Sequence, residues 1–328
     1  MRIAYLILAH DDPVHLSRLV RRLAYREDRC FIHVDAKAPV DRFGASKIES
    51  SELIAPRIPV YWGDFSQIEA EHALLAAGVA AQPEFDYFVL LSGADYPVQP
   101  AWYIHDHVRR HEGVEFLSAV KMPCERAGKP LSRIERYRCR PPASLLHKAM
   151  FTLQVGLKLR SQTRAYRHVF GDLEPFGGSA WWALSRAAAQ YVLQFFADRP
   201  EVIAFYQNVR CPDESLFHTI LMNSPFAARV SHNVTYVDWS QGGRRPAQLT
   251  DRHVDLFESQ PRVILKGVYG IGEALFARKL SDADAALVDR LDRMIERRGG
   301  TPGLRDGNGE RQAAVSRPSR SPAAARFV

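Results

Sequence analysis

Unbroken apolar runs alternate with segments of helical spacing over the first 120 residues. IAYLILA (3–9) is a continuous β-rich run, which reads as a strand buried on both faces. In DPVHLSRLVRRLAYR (12–26), Val14, Leu16, Leu19, Val20 and Leu23 recur at helical spacing. CFIHVD (30–35) is a second buried strand and IPVYWGD (58–64) is expected to be a third. SQIEAEHALLAAGVAA (66–81) predicts a helix with Ser66 as its N-cap. DYFVLLSGADYP (86–97) gives a fourth strand that ends in a loop, AWYIHDHVRRH (101–111) a helix, and VEFLSAV (114–120) a fifth strand. This alternation predicts an α/β fold with a doubly wound, mostly parallel sheet over about residues 1–120.

Ligands of such sheets bind at the carboxyl ends of the strands. Polar groups mark those ends here: His10-Asp11-Asp12, His33-Val34-Asp35 and Ser92-Gly93-Ala94-Asp95. Beyond residue 120 the pattern loosens. Residues 121–175 are rich in Arg and Pro, apart from a helix expected at 143–160. That helix is apolar with Lys148, Lys158 and Arg160 interleaved, which fits either a membrane-surface helix or a half-buried one whose cations reach solvent. Strands follow at SAWWALS (179–185) and VTYVDWS (234–240), and helices at RAAAQYVLQFF (186–196), PDESLFHTILMN (212–223) and SDADAALVDRLDRMIERR (281–298).

Composition narrows the classes. The chain has 328 residues, 46% of them hydrophobic, enough for a sizeable core. Its apolar runs are too short to span a membrane, and no charged n-region, long apolar stretch and cleavage site open it, so neither a span nor a signal peptide is expected. The four cysteines lack zinc-ligand spacing and read as reduced thiols of a cytoplasmic protein. Net charge is +7, but residues 297–328 hold seven Arg against two acids, leaving only +2 for the body. The Gly-, Pro-, Ser- and Arg-rich tail is expected to be disordered, and a nucleic-acid partner would rest on it alone. No GxGxxG follows the first strand, and GxxxxGK[ST], HExxH and GxSxG are absent, which disfavours dinucleotide enzymes, P-loop proteins, zincins and serine hydrolases.

Some residues carry candidate chemistry. Asp35, just past a buried strand, suits a base or ribose hydroxyl, or a turn. The only Asp-x-Asp, Asp282-Ala283-Asp284, opens the last helix and reads as a cap. A diphosphate would then need another cation, and Arg278 with Lys279 is the best pair. In PDESLFHTILMN, Glu214 shares a helical face with Phe217, His218 and Leu221, and Asp213 with Leu216, Phe217 and Ile220. Both acids border the apolar face, where partial desolvation suits a general base. Spacing does not choose between them.

Taken in order, AYLILAH (4–10), FIHVDAK (31–37), VYWGDFSQIEAE (60–71), FVLLSGADYPV (88–98), GGSAWWALSR (177–186), CPDESLFHTIL (211–221), YVDWS (236–240) and FARKL (276–280) resemble the core-2/I-branching β-1,6-N-acetylglucosaminyltransferase family, which includes the peptide O-xylosyltransferases. The resemblance runs over about residues 3–297 and implies a GT-A-like fold. It implies transfer from a UDP-sugar to a glycan hydroxyl with inversion and without metal, N-acetylglucosamine being favoured over xylose. By the same resemblance, Ala9, His10, Asp11, Asp35, Lys37 and Ser66 match donor contacts. Asp95 falls near the acidic motif of metal-dependent relatives, and Arg278 and Lys279 match the diphosphate site. Glu214 matches the base, and Trp239 and Glu135 fall at acceptor contacts. A further arginine contact would fall to Arg244 or Arg245. The expected division is a glycosyltransferase domain over 1–298, with a nucleotide-sugar half (1–120) and an acceptor half (121–298), then a basic tail (299–328). The anchor and many disulfides of the vertebrate branching enzymes are not expected. A cytoplasmic bacterial enzyme acting on a surface or secreted polysaccharide is, with peripheral contact to anionic membrane through 143–160 and the tail. A non-catalytic nucleotide-sugar-binding protein is the reading of a different class.

Overall fold

The continuous apolar runs follow from burial on two faces. In the computed structural model β1 (Ile3–Ala9) lies between β2 (Arg29–Val34) and β4 (Tyr87–Ser92), parallel to both. Ile3, Tyr5, Ile7 and Ala9 join one core with the helices Pro13–Leu23 and Ala285–Arg297. Ala4 and Leu6 join a second core with the helices Ser66–Ala80 and Arg186–Asp198. Successive side chains of a strand point to opposite faces, so only a strand covered on both sides is apolar at every position. The structure describes residues 1–46, 50–140, 163–242 and 246–299, with the single positions 149, 150 and 153. The expected helix at 143–160, the Arg244 or Arg245 contact and the tail after Gly299 therefore lie outside the described residues, apart from those single positions.

Among the described residues the main sheet has seven strands, with β3 (Ser51–Leu53), β6 (Glu115–Lys121), β7 (Phe176–Ser185) and β8 (Val230–Ser231) completing the order β3-β2-β1-β4-β7-β6-β8. All neighbours are parallel except β7, which runs against both β4 and β6. The sheet is thus mostly parallel, as expected, but it is mixed through β7 and extends past residue 120. Reversal of β7 brings its start, Phe176 to Ser179, to the carboxyl ends of the parallel strands. Close approach there requires glycine: a Cβ on Gly178 would stand 1.6 Å from the Ser118 carbonyl oxygen.

Three other expectations change. The third strand is Ser51–Leu53 rather than 58–64. Pro59 has no N–H for a ladder, Ile58 donates its N–H to His33 Nε2 at 2.9 Å, and the segment runs on beyond the end of β2. Ser66 is not an N-cap: its own N–H donates to Asp64 Oδ1 at 3.0 Å. PDESLFHTILMN is two elements, a 3₁₀ turn Pro212–Glu214 and a helix Leu216–Met222, broken at Ser215 with φ −148°. Ser215 Oγ donates instead to the Phe176 carbonyl at 2.8 Å, tying the turn to the start of β7.

A three-stranded sheet sets β12 (Phe276–Arg278) between β5 (Asp95–Pro97) and β9 (Thr235–Val237). Within 241–275, where the pattern predicts no element, there are a helix, Asp251–Ser259, and the hairpin of β10 (Ile264–Gly267) and β11 (Gly270–Glu273). Among the described residues no helix is long and apolar enough to cross a membrane.

Candidate active site

Parallel pairing brings the polar strand ends together. Asp35 N–H donates to the Ala9 carbonyl and Gly93 N–H to the Leu8 carbonyl, each at 2.8 Å. Ala9, His10, Asp11, Asp35 and the Ser92–Asp95 turn thus line one edge of the sheet. Ala9 is buried there, while His10 and Asp11 are exposed, with Asp11 3.7 Å from Arg42. The Asp35 carboxylate accepts from Lys37 N–H at 2.8 Å and Nζ at 2.7 Å. Lys37 Nζ also bonds to the Val60 carbonyl and stands 4.5 Å from the Tyr61 ring centroid. Tyr61 N–H donates to Ser66 Oγ at 2.9 Å. Asp35, Lys37 and Ser66, separate in sequence, are therefore joined through the 60–66 loop.

Asp95 and Arg278 meet by register, directly opposite on β5 and β12. Asp95 is fully buried and accepts from Ser92 N–H at 2.8 Å and Ser92 Oγ at 3.0 Å. Arg278 Nε lies 3.4 Å from it, and the guanidinium sits 3.9 Å from the Trp181 ring centroid. Burial pushes the Asp95 carboxyl up more than Arg278 and Ser92 draw it down. The same burial lowers Arg278. Arg278 is thus packed between Asp95 and Trp181, and Lys279 beside it is half-buried. The Asp-x-Asp carboxylates are engaged at helix starts. Asp284 completes a capping box with Ser281, while Asp282 accepts the His15 N–H of the Pro13–Leu23 helix at 2.6 Å.

The two acids of the 3₁₀ turn are in different surroundings. Cys211, with φ +51°, aims the turn, and its N–H donates to the Gly63 carbonyl at 3.0 Å. Glu214 Oε2 accepts from both Lys129 Nζ and Arg133 Nη1. Burial pushes the Glu214 carboxyl up, but the two cations outweigh it and hold the group below its ordinary value. Its side chain is 28% exposed, enough to be reached from solvent. Asp213 Oδ1 is buried without a hydrogen-bond partner among the described residues. Burial, with the Glu214 charge beside it, pushes the Asp213 carboxyl up to about 7. Glu71 is fully buried, and that burial, with the Asp213 charge added, raises its carboxyl well above the usual range. The pair left open by spacing is therefore divided by charge: both acids are half-buried, but Glu214, held by two cations, is ionised at neutral pH, while Asp213, with a buried and unpartnered Oδ1 among the described residues, holds its proton to higher pH.

Sequence reasoning misses Lys129 and Arg133, which reach Glu214 across 85 and 81 residues from a segment without periodicity. It also misses Tyr269 at the tip of the β10–β11 hairpin, whose hydroxyl is pushed up to about 12 by burial and then by the Glu214 charge. Of the two expected acceptor residues, Trp239 is 55% exposed two positions beyond β9. Glu135 is half-buried on the short helix Ser132–Glu135 that carries Arg133. The structure thus sets Glu135 on the Glu214 side and Trp239 by the Arg278 strand.

The Core-2/I-Branching enzyme family matches residues 3–259. The chain is 23% identical over 225 residues to mouse beta-1,3-galactosyl-O-glycosyl-glycoprotein beta-1,6-N-acetylglucosaminyltransferase 4, covering 67% of this chain and 46% of that protein. It is 24% identical over 255 residues to dog xylosyltransferase 2, covering 74% and 27%. It is 25% identical over 328 residues to the beta-glucuronosyltransferase GlcAT14A of Arabidopsis thaliana, covering 92% and 66%. The chain thus spans less than half the length of the first two relatives. The match over most of its length, on a mixed α/β sheet with its polar strand ends gathered at one edge, places the chain in the Core-2/I-branching enzyme family of glycosyltransferases.

Proposed function

We propose that the chain transfers a sugar from a UDP-sugar to a glycan hydroxyl with inversion, and that Glu214 is the general base. The division of the two acids carries this reading: Glu214 is ionised and reachable, while Asp213 has its Oδ1 buried without a partner among the described residues and its carboxyl raised. Glu214 takes the proton of the acceptor hydroxyl as its oxygen attacks the anomeric carbon from the face opposite UDP. The bond from the anomeric carbon to the diphosphate oxygen breaks, and its electron pair leaves with UDP. One displacement turns an α-linked donor into a β-linked product. Asp35, Lys37 and Ser66, joined through the 60–66 loop, are assigned to the nucleotide with Ala9, His10 and Asp11.

The charge of the departing diphosphate is assigned to Arg278 and Lys279 in place of a divalent ion. Asp95 supports that assignment as the buried partner of Arg278. Trp239 and Glu135 are assigned to the acceptor. Among donors we favour UDP-N-acetylglucosamine, with UDP-xylose second. The relatives' names divide between these two and a glucuronosyl donor. A ligand at a hundred times its Kd stabilises a fold by about 2.7 kcal/mol. UDP-N-acetylglucosamine in EDTA is expected to raise the melting temperature accordingly, with no further rise or gain in turnover from Mn²⁺. Stabilisation and turnover that appear only with Mn²⁺ would refute the metal-free assignment. A larger shift with UDP-xylose would reverse the order of donors.

A further inference from the structure

Between residues 121 and 140 the chain carries seven Lys and Arg against two Glu. Lys129 and Arg133 of this segment are spent on Glu214. Arg138 reaches the 60–66 loop, bonding to the Gly63 carbonyl and, through Nη2, to the Trp62 carbonyl at 3.3 Å. The loop it holds presents Trp62 with 63% of its surface exposed. The Arg210 guanidinium lies 5.9 Å from the Trp62 ring centroid. Arg210 is exposed, and no ion pair engages it among the described residues.

The placement of this pair is informative. The bond from Cys211 N–H to the Gly63 carbonyl clamps the Trp62 loop to the turn that ends in Glu214, three residues further on. On the other side of Trp62, Tyr61 lies beneath Lys37, the partner of Asp35. Trp62 therefore stands between the residues assigned to the nucleotide and the base. An indole left in water next to a polar site offers a flat apolar surface, and with only two side-chain torsions it is ordered at little cost on binding. The guanidinium beside it presents a planar fork that matches a carboxylate or phosphate. Together they suit a ring with an apolar C–H face and a negative charge at its edge.

We propose that Trp62 and Arg210 form an acceptor subsite for an acidic sugar, one bearing a carboxylate or a phosphate; this rests on the reading of Glu214 as the base of a glycosyl transfer. Trp62 stacks on the sugar ring, Arg210 pairs with its anion, and Arg138 holds the loop in place. The test titrates UDP-saturated protein with three disaccharides that differ only in the terminal residue: glucuronic acid, glucose 6-phosphate and glucose. A charge-assisted contact of this kind favours the anionic ligands by roughly tenfold at low salt. Arg210→Gln is expected to abolish that preference, and Trp62→Ala to weaken all three ligands, while both variants bind UDP as the unaltered chain does. The tighter of the two anionic probes identifies the carboxylate or the phosphate as the recognised group. Equal affinity for all three, a preference that survives in Arg210→Gln, or no disaccharide binding by a protein that binds UDP would overturn the subsite. Failure of the unaltered chain to bind UDP is a separate result, which removes the donor reading and the subsite with it.

Discussion

Glu214→Gln is expected to lower turnover by roughly 10²–10⁴-fold, the usual contribution of a general base. The carboxamide keeps the shape of the side chain and an oxygen for Lys129 or Arg133, yet cannot take a proton at neutral pH. UDP affinity should stay close to that of the unaltered chain, because the nucleotide is assigned to residues at the strand ends. The pH dependence should carry the same signature. Lys129 and Arg133 hold Glu214 below its ordinary value, so the acid limb of the rate should lie below the usual carboxylate range. Lys129→Met, which leaves Arg133 alone on the carboxylate, should move that limb to higher pH. A Gln variant with near-normal turnover would remove Glu214 from the chemistry.

The second prediction concerns its neighbour. Asp213→Asn should leave turnover within a few-fold and make the protein more stable at pH 8. The sign follows from proton linkage. A carboxyl raised to about 7 in the fold binds more protons there than in the unfolded chain. Stability from this group is therefore greatest below its unfolded value, near 4, and is lost as pH rises through about 7. An amide does not ionise, so the variant escapes that loss. The gain at pH 8 should be on the order of 2–4 kcal/mol and should vanish as pH falls towards 4. Chemical denaturation at both pH values measures it. A variant that is inactive and no more stable at pH 8 would exchange the roles assigned to the two acids.

These assignments show what the chain reveals and what it conceals. β1, β2 and β4 were legible because burial on both faces writes itself as unbroken apolar runs. Their polar ends, His10 to Asp12, Asp35 and Asp95, were legible as the place where ligands gather. The direction of β7 was not, since SAWWALS reads the same parallel or antiparallel. Yet that reversal is what brings Gly177 and Gly178 against the turn and against Ser118. The strand expected at 58–64 failed for a related reason: residues suited to a strand need a ladder partner, and Ser51–Leu53 takes the place beside β2. Helical spacing set both acids on the border of one apolar face. The structure splits that helix at Ser215 and gives each acid its own surroundings. Lys129 and Arg133, which decide the charge of Glu214, sit in an Arg- and Pro-rich segment and reach it across 85 and 81 residues. The family resemblance reached Glu214 without them, but supplied no physical reason for preferring it to Asp213.

The central claim is a single displacement assisted by one base, and the anomeric configuration of the product tests it most directly. With an α-linked UDP-sugar and an acceptor that is turned over, proton NMR of the newly formed linkage in the first minutes of reaction should show only the β-anomer. An α-linked product would contradict the account, because one attack from the face opposite UDP cannot retain configuration.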